Sequence, residues 1–534
     1  MSYSISCTDL NFAWPDGDVV FDGLTFVAGP VRSGLVGRNG TGKSTLLRLI
    51  AGGLRPRAGT IRHAGTLGYL PQDLTLDTSL RVDEALGIAD VRRAIAQIES
   101  GNATENNLAV VGADDWDVEE RALATLGRLG LDGIGLDRSV GEVSGGEGVL
   151  LGLAAELLRR PDVLLLDEPT NNLDLSARRR LYEAVETFRG ALLVVSHDRE
   201  LLDRVDQIGD LRDGTITWYG GNLTAYEEAL AVGQEAALRM VRAAEGDVRR
   251  QQRDLADARI KLDRRRRYGQ KMWDTKREPK IVMGARKRAA QVAEGKHRNL
   301  HLERLETARE ALTDAEALAH DDDDIRIDLP DTAVPAGRVV LRLEDLVLRS
   351  GPAGSLELRG PERVALVGAN GAGKSTLLHT VAGGLDAVSG SARPAVPFRL
   401  LPQRLDLLDD SLSVVDNLAV FAPGADNNTR RARLARFLFR GRAADQAVGT
   451  LSGGERFRAT LAALLLAEPA PQLLMLDEPT NNLDLASVDQ LASALDAYAG
   501  ALMVASHDLA FLRRIGITRW LRIDEVGLQD VDPR

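Results

Sequence analysis

Cysteine is almost absent from this sequence, which contains one, Cys7, in 534 residues. A single thiol cannot form an internal disulfide, and it cannot supply a four-thiolate zinc site or an iron–sulfur cluster. Long hydrophobic runs are also missing, since charge or glycine interrupts them well before the roughly 18 residues of a membrane helix. The N-terminal residues lack the basic and apolar regions of an export signal. We therefore expect a cytoplasmic protein that does not bind a membrane and whose metal, if any, is held by oxygen ligands.

Acidic residues outnumber basic ones in the chain as a whole, 78 to 67, which gives a net charge of −11. Taken alone, this value argues against a nucleic-acid partner. The distribution reverses the conclusion, because residues 261–300 contain 14 Lys and Arg against 4 Asp and Glu. The remainder of the chain is therefore at −21. The cations are gathered in one segment, which becomes a candidate surface for an anionic partner.

The chain contains one set of motifs twice, in the same order. The first set is GRNGTGKST at 37–45, VSGGE at 143–147, LLLDEPTNNLD at 164–174 and VSHD at 195–198. The second is GANGAGKST at 368–376, LSGGE at 451–455, LMLDEPTNNLD at 474–484 and ASHD at 505–508. Asp167 and Asp477 are 310 residues apart, as are His197 and His507. A motif set that recurs in the same order, with its last two motifs at the same offset, predicts two homologous domains.

The first motif of each set predicts a phosphate-binding loop. The pattern G-x-x-x-x-G-K-S follows an apolar, strand-like run and precedes a helical pattern, which is the context that such a loop requires. Backbone amides and a helix N-terminus bind the phosphates, the lysine reaches the β- and γ-phosphates, and the serine hydroxyl binds Mg²⁺. The predicted ATP-binding residues are Gly37, Asn39, Gly40, Gly42, Lys43, Ser44 and Thr45, and Gly368, Asn370, Gly371, Gly373, Lys374, Ser375 and Thr376.

Paired carboxylates follow a buried strand in each half. The apolar run 163–166 delivers Asp167 and Glu168 at its C-terminal end, where α/β sheets place ligand groups. Phosphoryl hydrolysis needs one carboxylate near the metal and one that polarises the attacking water, so we assign Asp167 to Mg²⁺ and Glu168 to catalysis. Asp477 and Glu478 repeat the pair. His197 and His507 follow a second strand-like run and are predicted to contact the γ-phosphate as catalytic residues, and Gln72 and Gln403 to complete the metal or water shell.

The SGGE motifs precede long helical patterns but contain no lysine, which predicts a second anion-binding helix N-terminus in each half. Together, all these motifs resemble the ATP-binding cassette ATPase domain, and the two copies cover about four-fifths of the chain. In that family two cassettes pair head to tail. The resemblance implies that Lys43, Gln72, Glu168 and His197 share one ATP with 452–455. It also implies that the equivalent residues of the second half share the other ATP with 144–147. The signature residues predicted to bind ATP are Ser144, Gly145, Gly146, Glu147, Ser452, Gly453, Gly454 and Glu455.

Two departures from the family pattern predict unequal sites. The first signature lacks the basic residue that usually follows the glycines, whereas the second has Arg456 and Arg458. Trp14 is placed to stack on the adenine of the first site, while the aligned position in the second half is Ser350. Stacking contributes about 1 to 3 kcal/mol. The site that contains Lys374 is therefore expected to bind ATP more loosely or to turn over more slowly.

Between the two motif sets, the pattern predicts an antiparallel helical hairpin. Residues 224–262 contain few helix breakers, and apolar residues recur at three-and-four spacing between 300 and 318. The predicted tip, 264–288, interleaves aromatic residues with cations, a composition suited to RNA. The alternative is a solvated, charged coiled-coil tip. The RNA-binding candidates are Arg264, Arg265, Arg266, Arg267, Tyr268, Lys271, Trp273, Lys276, Arg277, Lys280, Arg286, Lys287 and Arg288.

A tandem-cassette chain with a long charged linker is similar to the ABC-F family of translation proteins. The resemblance implies an α/β fold with two P-loop cassettes, 1–223 and 323–534, joined by the helical hairpin linker 224–322. It also implies a monomeric ATP hydrolase with internal cassette pairing that binds the exit site of the 70S ribosome when ATP is bound. The linker then reaches the P-site tRNA and the 23S rRNA of the peptidyl-transferase centre.

Two roles share this architecture, antibiotic resistance by ribosomal protection and a general translation factor, and the sequence leaves both open. A different alternative is the cytoplasmic ATPase subunit of a membrane transporter, which the length of the basic linker disfavours. A DNA-repair ATPase is a third class, but it predicts zinc cysteines, nuclease ligands or a much longer coiled coil. We therefore expect no DNA partner.

Overall fold

The computed structural model describes residues 4–74, 77–112, 115–171, 173–274, 299–315, 329–404, 406–481 and 483–532. The chain forms two compact units. One contains both Met1–Thr224 and Asp323–Arg534, and the other is Ala225–Asp322. Because both cassettes fall in one unit, their separate limits, 1–223 and 323–534, stay predictions.

The N-terminal half alternates strands and helices. Its strands are β1 (Ile5–Ala13), β2 (Val19–Ala28), β3 (Arg32–Val36), β4 (Ala58–His63), β5 (Leu67–Leu70), β6 (Val163–Asp167), β7 (Ala191–Val195), β8 (Gln207–Arg212) and β9 (Thr215–Gly220). Its helices are α1 (Lys43–Ile50), α2 (Val82–Ala85), α3 (Ala89–Glu99), α4 (Glu105–Val110), α5 (Val118–Arg128), α6 (Gly145–Leu158), α7 (Leu175–Thr187) and α8 (Arg199–Leu202), with a 3-10 helix at Val140–Glu142.

The central sheet of this half has the order β5-β6-β7-β3-β8-β9. All neighbouring strands are parallel except β8 and β9. All residues of β6 and β7 are buried, which explains why both strands read as continuous apolar runs. A second, antiparallel sheet of order β2-β1-β4 packs its apolar side chains into the same core. The parallel arrangement brings the C-terminal ends of β3, β6 and β7 to one edge, where the phosphate loop and the carboxylates lie.

The C-terminal half repeats this plan. Its strands are β10 (Val339–Leu348), β11 (Gly351–Arg359), β12 (Arg363–Val367), β13 (Ser389–Pro394), β14 (Phe398–Leu401), β15 (Leu473–Asp477), β16 (Ala501–Ala505), β17 (Arg519–Asp524) and β18 (Gly527–Asp530). Its helices are α11 (Lys374–Val381), α12 (Val414–Phe421), α13 (Asn427–Ala435), α14 (Gly453–Leu465), α15 (Leu485–Asp496) and α16 (Leu509–Arg514), with 3-10 helices at Pro330–Thr332, Gly441–Asp445 and Val448–Thr450.

The sheets of the second half have the orders β14-β15-β16-β12-β17-β18 and β11-β10-β13, which match those of the first half strand for strand. Even an irregularity is repeated: Asp9 in β1 and Asp345 in β10 both have positive φ, 52° and 43°. The prediction of an α/β fold with two cassettes is confirmed.

The linker contains two described helices, α9 (Leu223–Asp274) and α10 (residues 299–315). Val248 and Leu255 of α9 form an apolar cluster with Leu305 of α10. The predicted helical hairpin is confirmed in this part, but its first helix is longer than expected. We expected it to end near Leu262, whereas it continues to Asp274, because Arg, Lys, Gln and Met are good helix formers and no proline interrupts them. Among the described helices, none is both long and apolar enough to cross a membrane.

Candidate ATP-hydrolysis sites

The first phosphate loop connects β3 to α1. Gly42 has φ 95°, and a Cβ at this position would collide with the side chains of Val20 and Phe21, so both conformation and space require glycine. Lys43 begins α1, and its Nζ donates to the carbonyl oxygens of Gly37 at 2.8 Å and Arg38 at 3.0 Å. The loop thus wraps around its own lysine.

The second phosphate loop has the same geometry with one added contact. Nζ of Lys374 donates to the carbonyl oxygens of Gly368 at 2.9 Å and Ala369 at 3.2 Å. It also lies 2.9 Å from Nε2 of His507. Burial lowers the pKa of both Lys374 and Lys43.

Each loop serine is bonded to a strand-end aspartate. Oγ of Ser44 donates to Oδ1 of Asp167 at 2.9 Å, and Oγ of Ser375 donates to Oδ1 of Asp477 at 3.0 Å. Oδ2 of Asp167 is buried and accepts no hydrogen bond from the described residues. A hydroxyl and a free carboxylate oxygen side by side suit Mg²⁺, which prefers oxygen ligands. The residues at this position therefore fit the predicted metal.

The two predicted catalytic glutamates share an unusual backbone conformation. Glu168 and Glu478 follow β6 and β15 with φ 47° and 45°, in the left-handed region that costs a non-glycine residue about 1 to 3 kcal/mol. A hydrogen bond holds each in place: the N–H of Glu168 donates to Val195 O and that of Glu478 to Ala505 O, both at 2.8 Å. In this backbone conformation, each carboxylate points toward the histidine that follows the neighbouring strand.

Each glutamate lies against its histidine. Nε2 of His197 is 3.3 Å from Oε1 of Glu168, and Nε2 of His507 is 3.4 Å from Oε1 of Glu478. Burial, reinforced by the nearby Lys43 or Lys374, lowers the pKa of each histidine to about 3, so both rings are neutral at pH 7. Burial raises the pKa of both glutamates, that of Glu478 to about 7.

A cavity opens at each phosphate loop. The first, of about 380 Å³, is lined by Trp14, Val20, Asn39, Gly40, Gly42, Lys43, Ser44, Thr45, Gln72, Glu168, Asn171, Val195 and His197. The second, of about 280 Å³, is lined by Leu173, Arg178, Asn370, Gly371, Gly373, Lys374, Ser375, Thr376, Gln403, Glu478, Asn481 and His507. The structure thus brings the predicted loop, glutamine, glutamate and histidine residues together in each half.

Among the described residues that line the two cavities, a tryptophan is found at the first and not at the second. Trp14 lines it, and its ring meets the ring of Phe12 edge to face at 5.2 Å. Counting from the positive-φ residues Asp9 and Asp345 places Ser350 opposite Trp14. In space, Ser350 lies against Gly373 where Val20 lies against Gly42, so the pairing of Ser350 with Trp14 stays a prediction.

The signature residues, 144–147 and 452–455, lie outside the two cavities. Ser144 and Ser452 are exposed N-caps of α6 and α14, and each forms a reciprocal capping box with the glutamate three residues later, Glu147 or Glu455. Among the described residues, those of 144–147 and 452–455 line neither cavity. Their sharing of ATP with the opposite phosphate loop therefore remains a prediction. Arg456 of the second signature pairs with Asp410 of its own half at 2.6 Å.

Contacts between the cassettes involve Asp484 and Arg178, neither of which was predicted to be a site residue. The N–H of Asn39 donates to Oδ2 of Asp484 at 2.9 Å, and Arg178 of α7 reaches the second cavity. In the mirror-image contact, the backbone N–H of Asn370 donates to the carboxylate of Asp174. Asp174 and Asp484 end the DEPTNNLD motifs, so the repeated motif was a usable signal for both. Arg178 carries no such signal, because its counterpart 310 positions later is Val488.

The RNA-binding candidates lie at the end of α9 or beyond it. Arg264, Arg267, Tyr268 and Lys271 are exposed, and Tyr268 is 69% accessible. Arg265, Arg266 and Trp273 belong to the same helix. The remaining candidates lie outside the described residues: Lys276, Arg277, Lys280, Arg286, Lys287 and Arg288.

Comparison with known proteins matches the chain twice to the ABC transporter family, at residues 24–171 and 353–481. The tylosin resistance ATP-binding protein TlrC of Streptomyces fradiae is 34% identical, over 92% of this chain and 92% of its own. The probable ATP-binding protein YheS of Escherichia coli K12 is 32% identical, over 93% of this chain and 75% of its own.

Among solved structures, RNase-L Inhibitor superposes with a TM-score of 0.58 at 19% identity, covering 98% of this chain and 90% of that one. This likeness supports the tandem-cassette fold. The duplicated phosphate loops, the strand-end carboxylates and two relatives that match more than 90% of this chain lead to one conclusion: the chain belongs to the ABC-F family of tandem-cassette, ATP-binding ATPases.

Proposed function

We propose that this ATPase acts on the 70S ribosome. ATP closes the two cassettes, the closed form binds at the exit site, and the linker contacts the P-site tRNA and the 23S rRNA near the peptidyl-transferase centre. Hydrolysis then releases the protein. The observation that carries the proposal is the cationic end of α9 in a chain of the ABC-F family.

The charge at this end of α9 supports an RNA partner. Arg264, Arg267 and Lys271 are exposed within two turns of the helix, next to the exposed ring of Tyr268. Cations neutralise phosphates and an exposed aromatic ring stacks on bases or sugars. Earlier in the same helix, Arg249 pairs with Glu245 and Arg250 with Asp247.

In each hydrolysis site, we assign roles from the geometry. Glu168 and Glu478 accept the proton of the attacking water, and neutral His197 and His507 orient the γ-phosphate and that water. Lys43 and Lys374 hold the β- and γ-phosphates. Ser44, Gln72 and Asp167, and in the second site Ser375, Gln403 and Asp477, would hold Mg²⁺, which neutralises phosphate charge when bound.

Sedimentation tests the ribosome proposal. The Glu168→Gln, Glu478→Gln double variant with ATP should co-migrate with 70S particles in a sucrose gradient, because it binds nucleotide and does not release. Recovery in the membrane fraction would instead favour a transporter subunit. Adding Arg264→Gln and Arg267→Gln should lower the affinity and reduce the slope of its salt dependence by about one unit for each phosphate that is no longer neutralised. The matched control, Arg249→Gln with Arg250→Gln, should leave binding unchanged.

Of the two ABC-F roles, we propose antibiotic resistance, supported by the full-length relative TlrC, which is named for tylosin resistance. Expression in a susceptible strain should raise the tylosin concentration that stops growth, and the double glutamine variant should not. Equal growth without protection by either form, together with a translation defect on deletion in the native host, would favour a general translation factor.

A further inference from the structure

A buried arginine of the first cassette reaches the hydrolysis site of the second. Arg178 lies on the first turn of α7 and is 9% accessible. It lines the cavity of Lys374 together with Glu478 and His507. Neither the repeated motifs nor the roles assigned above account for a cation at this position.

The guanidinium of Arg178 is fixed by three contacts. Its Nε donates to Leu173 O at 3.2 Å, and its Nη1 donates to Oδ2 of Asp198 at 3.0 Å. Nη1 also lies 3.5 Å from the carbonyl oxygen of His507. The hydroxyl of Tyr182 donates to the same Asp198 oxygen at 2.8 Å. A charged pair buried this deeply keeps its geometry because neither partner has water as an alternative.

These contacts connect the segment that contains His197 and Asp198 with the one that contains His507, here called the two histidine loops. Asp198 directly follows His197 and caps α8 through the N–H of Leu201 at 2.9 Å. Arg178 therefore joins the loop that positions His197 in the first site to the backbone of His507 in the second. Its positive charge, with that of Lys374, also opposes the rise in the pKa of Glu478 that burial causes.

The first site has no counterpart to Arg178 at the equivalent position. Asp174 and Asp484 are the N-caps of α7 and α15, and the residue four positions later is Arg178 in one helix and Val488 in the other. Val488 is buried, with 5% accessibility, and is apolar. The link between the histidine loops therefore runs from the first cassette into the Lys374 site and is not repeated in the other direction.

We propose that Arg178 is a positioning residue that the first cassette supplies to the Lys374 site. By holding the backbone of His507 and the loop of His197 together, it makes hydrolysis at Lys374 depend on the state of the first cassette. The inference rests on the roles proposed above for Glu168 and Glu478. The coupling then runs from the first cassette to the Lys374 site. The repeated motifs alone, being the same in both halves, predict no such direction.

Single-turnover hydrolysis of radiolabelled ATP in two backgrounds tests the inference. Glu168→Gln leaves the Lys374 site active, and Glu478→Gln leaves the Lys43 site active. Arg178→Val should lower the rate about tenfold in the Glu168→Gln background, as expected for removal of a charged hydrogen bond, and less than about twofold in the other. Arg178→Lys should recover part of the rate. The neighbouring exposed Arg179→Val is the matched control and should change neither rate.

A purely structural role for Arg178 predicts equal decreases in both backgrounds, and that result, or no decrease in either, would overturn the inference. If Arg178→Val does not fold, Arg178→Met fills a similar volume without the charge and should show the same bias. Failure of the proposed catalytic roles looks different: the Glu168→Gln, Glu478→Gln double variant would then keep hydrolysing ATP.

Discussion

The backbone N–H of Asn39 donates a 2.9 Å hydrogen bond to Oδ2 of Asp484, although 445 positions separate the two residues in the chain. Oδ1 of the same carboxylate accepts from the N–H of Ser487 at 2.9 Å and caps α15. One side chain therefore ties the phosphate loop of the first cassette to a helix of the second.

Replacing Asp484 with Asn should separate these two functions. The amide oxygen of Asp484→Asn can still accept from Ser487, but its NH₂ group opposes the N–H of Asn39. We expect turnover at the Lys43 site to fall about tenfold in the Glu478→Gln background, because one hydrogen bond to a charged group is removed. Asp174→Asn is the mirror-image control and should affect the Lys374 site instead. Equal decreases at both sites from Asp484→Asn would contradict this account.

Hydrolysis at the Lys374 site should depend on pH near neutrality. Burial raises the pKa of Glu478 to about 7, against the opposing charges of Lys374 and Arg178 and with a small contribution from Asp477. Only the carboxylate form accepts a proton from water, so kcat/KM in the Glu168→Gln background should fall as pH drops through about 7 and level off above about 8. A rate that is constant across this range would rule out Glu478 as the base.

Removal of the aromatic ring at the first cavity should weaken nucleotide binding there. Base stacking on an aromatic side chain contributes about 1 to 3 kcal/mol, so Trp14→Ala should weaken ATP binding at the Lys43 site by about 5- to 150-fold. Titration with a fluorescent ATP analogue, using the Glu168→Gln, Glu478→Gln variant, measures the two affinities. Trp116→Ala is the control, because Trp116 is 52% exposed and lines neither cavity. A single unchanged affinity class in Trp14→Ala would disprove stacking.

The packing of the linker should depend on Leu305. This residue is 8% accessible and contacts Val248 and Leu255, whereas Leu302 on the same helix is 40% accessible. Leu305→Ala should destabilise the hairpin by about 2 kcal/mol, the lower end for a buried leucine in a small cluster. Limited proteolysis of the linker should become faster in Leu305→Ala and remain unchanged in Leu302→Ala, with ATPase activity intact in both. Equal sensitivity of the two variants would refute the described cluster.

The phosphate loops and strand-end carboxylates were predictable because they depend on local sequence. A glycine pattern between a strand and a helix determines the loop, and an apolar run determines where Asp167 and Asp477 emerge from the sheet. The positive φ of Glu168 and Glu478 was not predictable in this way. It results from hydrogen bonds to neighbouring strands that only the assembled sheet provides.

The contact that Arg178 makes between the cassettes could not be predicted from the sequence pattern either. Arg178 looks like a surface residue in a helix rich in arginine, and its burial depends on the second cassette packing against α7. The end of α9 could have been predicted from local sequence. Helix propensity alone extends the helix past Leu262, toward its observed end at Asp274.

Fusion of the halves has an evolutionary consequence. In an enzyme assembled from two identical copies, every amino-acid change appears at both ATP sites together. Here Met1–Thr224 and Asp323–Arg534 build one compact unit from separately encoded segments, so a change such as valine to arginine at 178 alters one site and spares its twin. Because the two halves share one chain, the two ATP sites can diverge. One site can then come to regulate the cycle while the other keeps hydrolysing ATP.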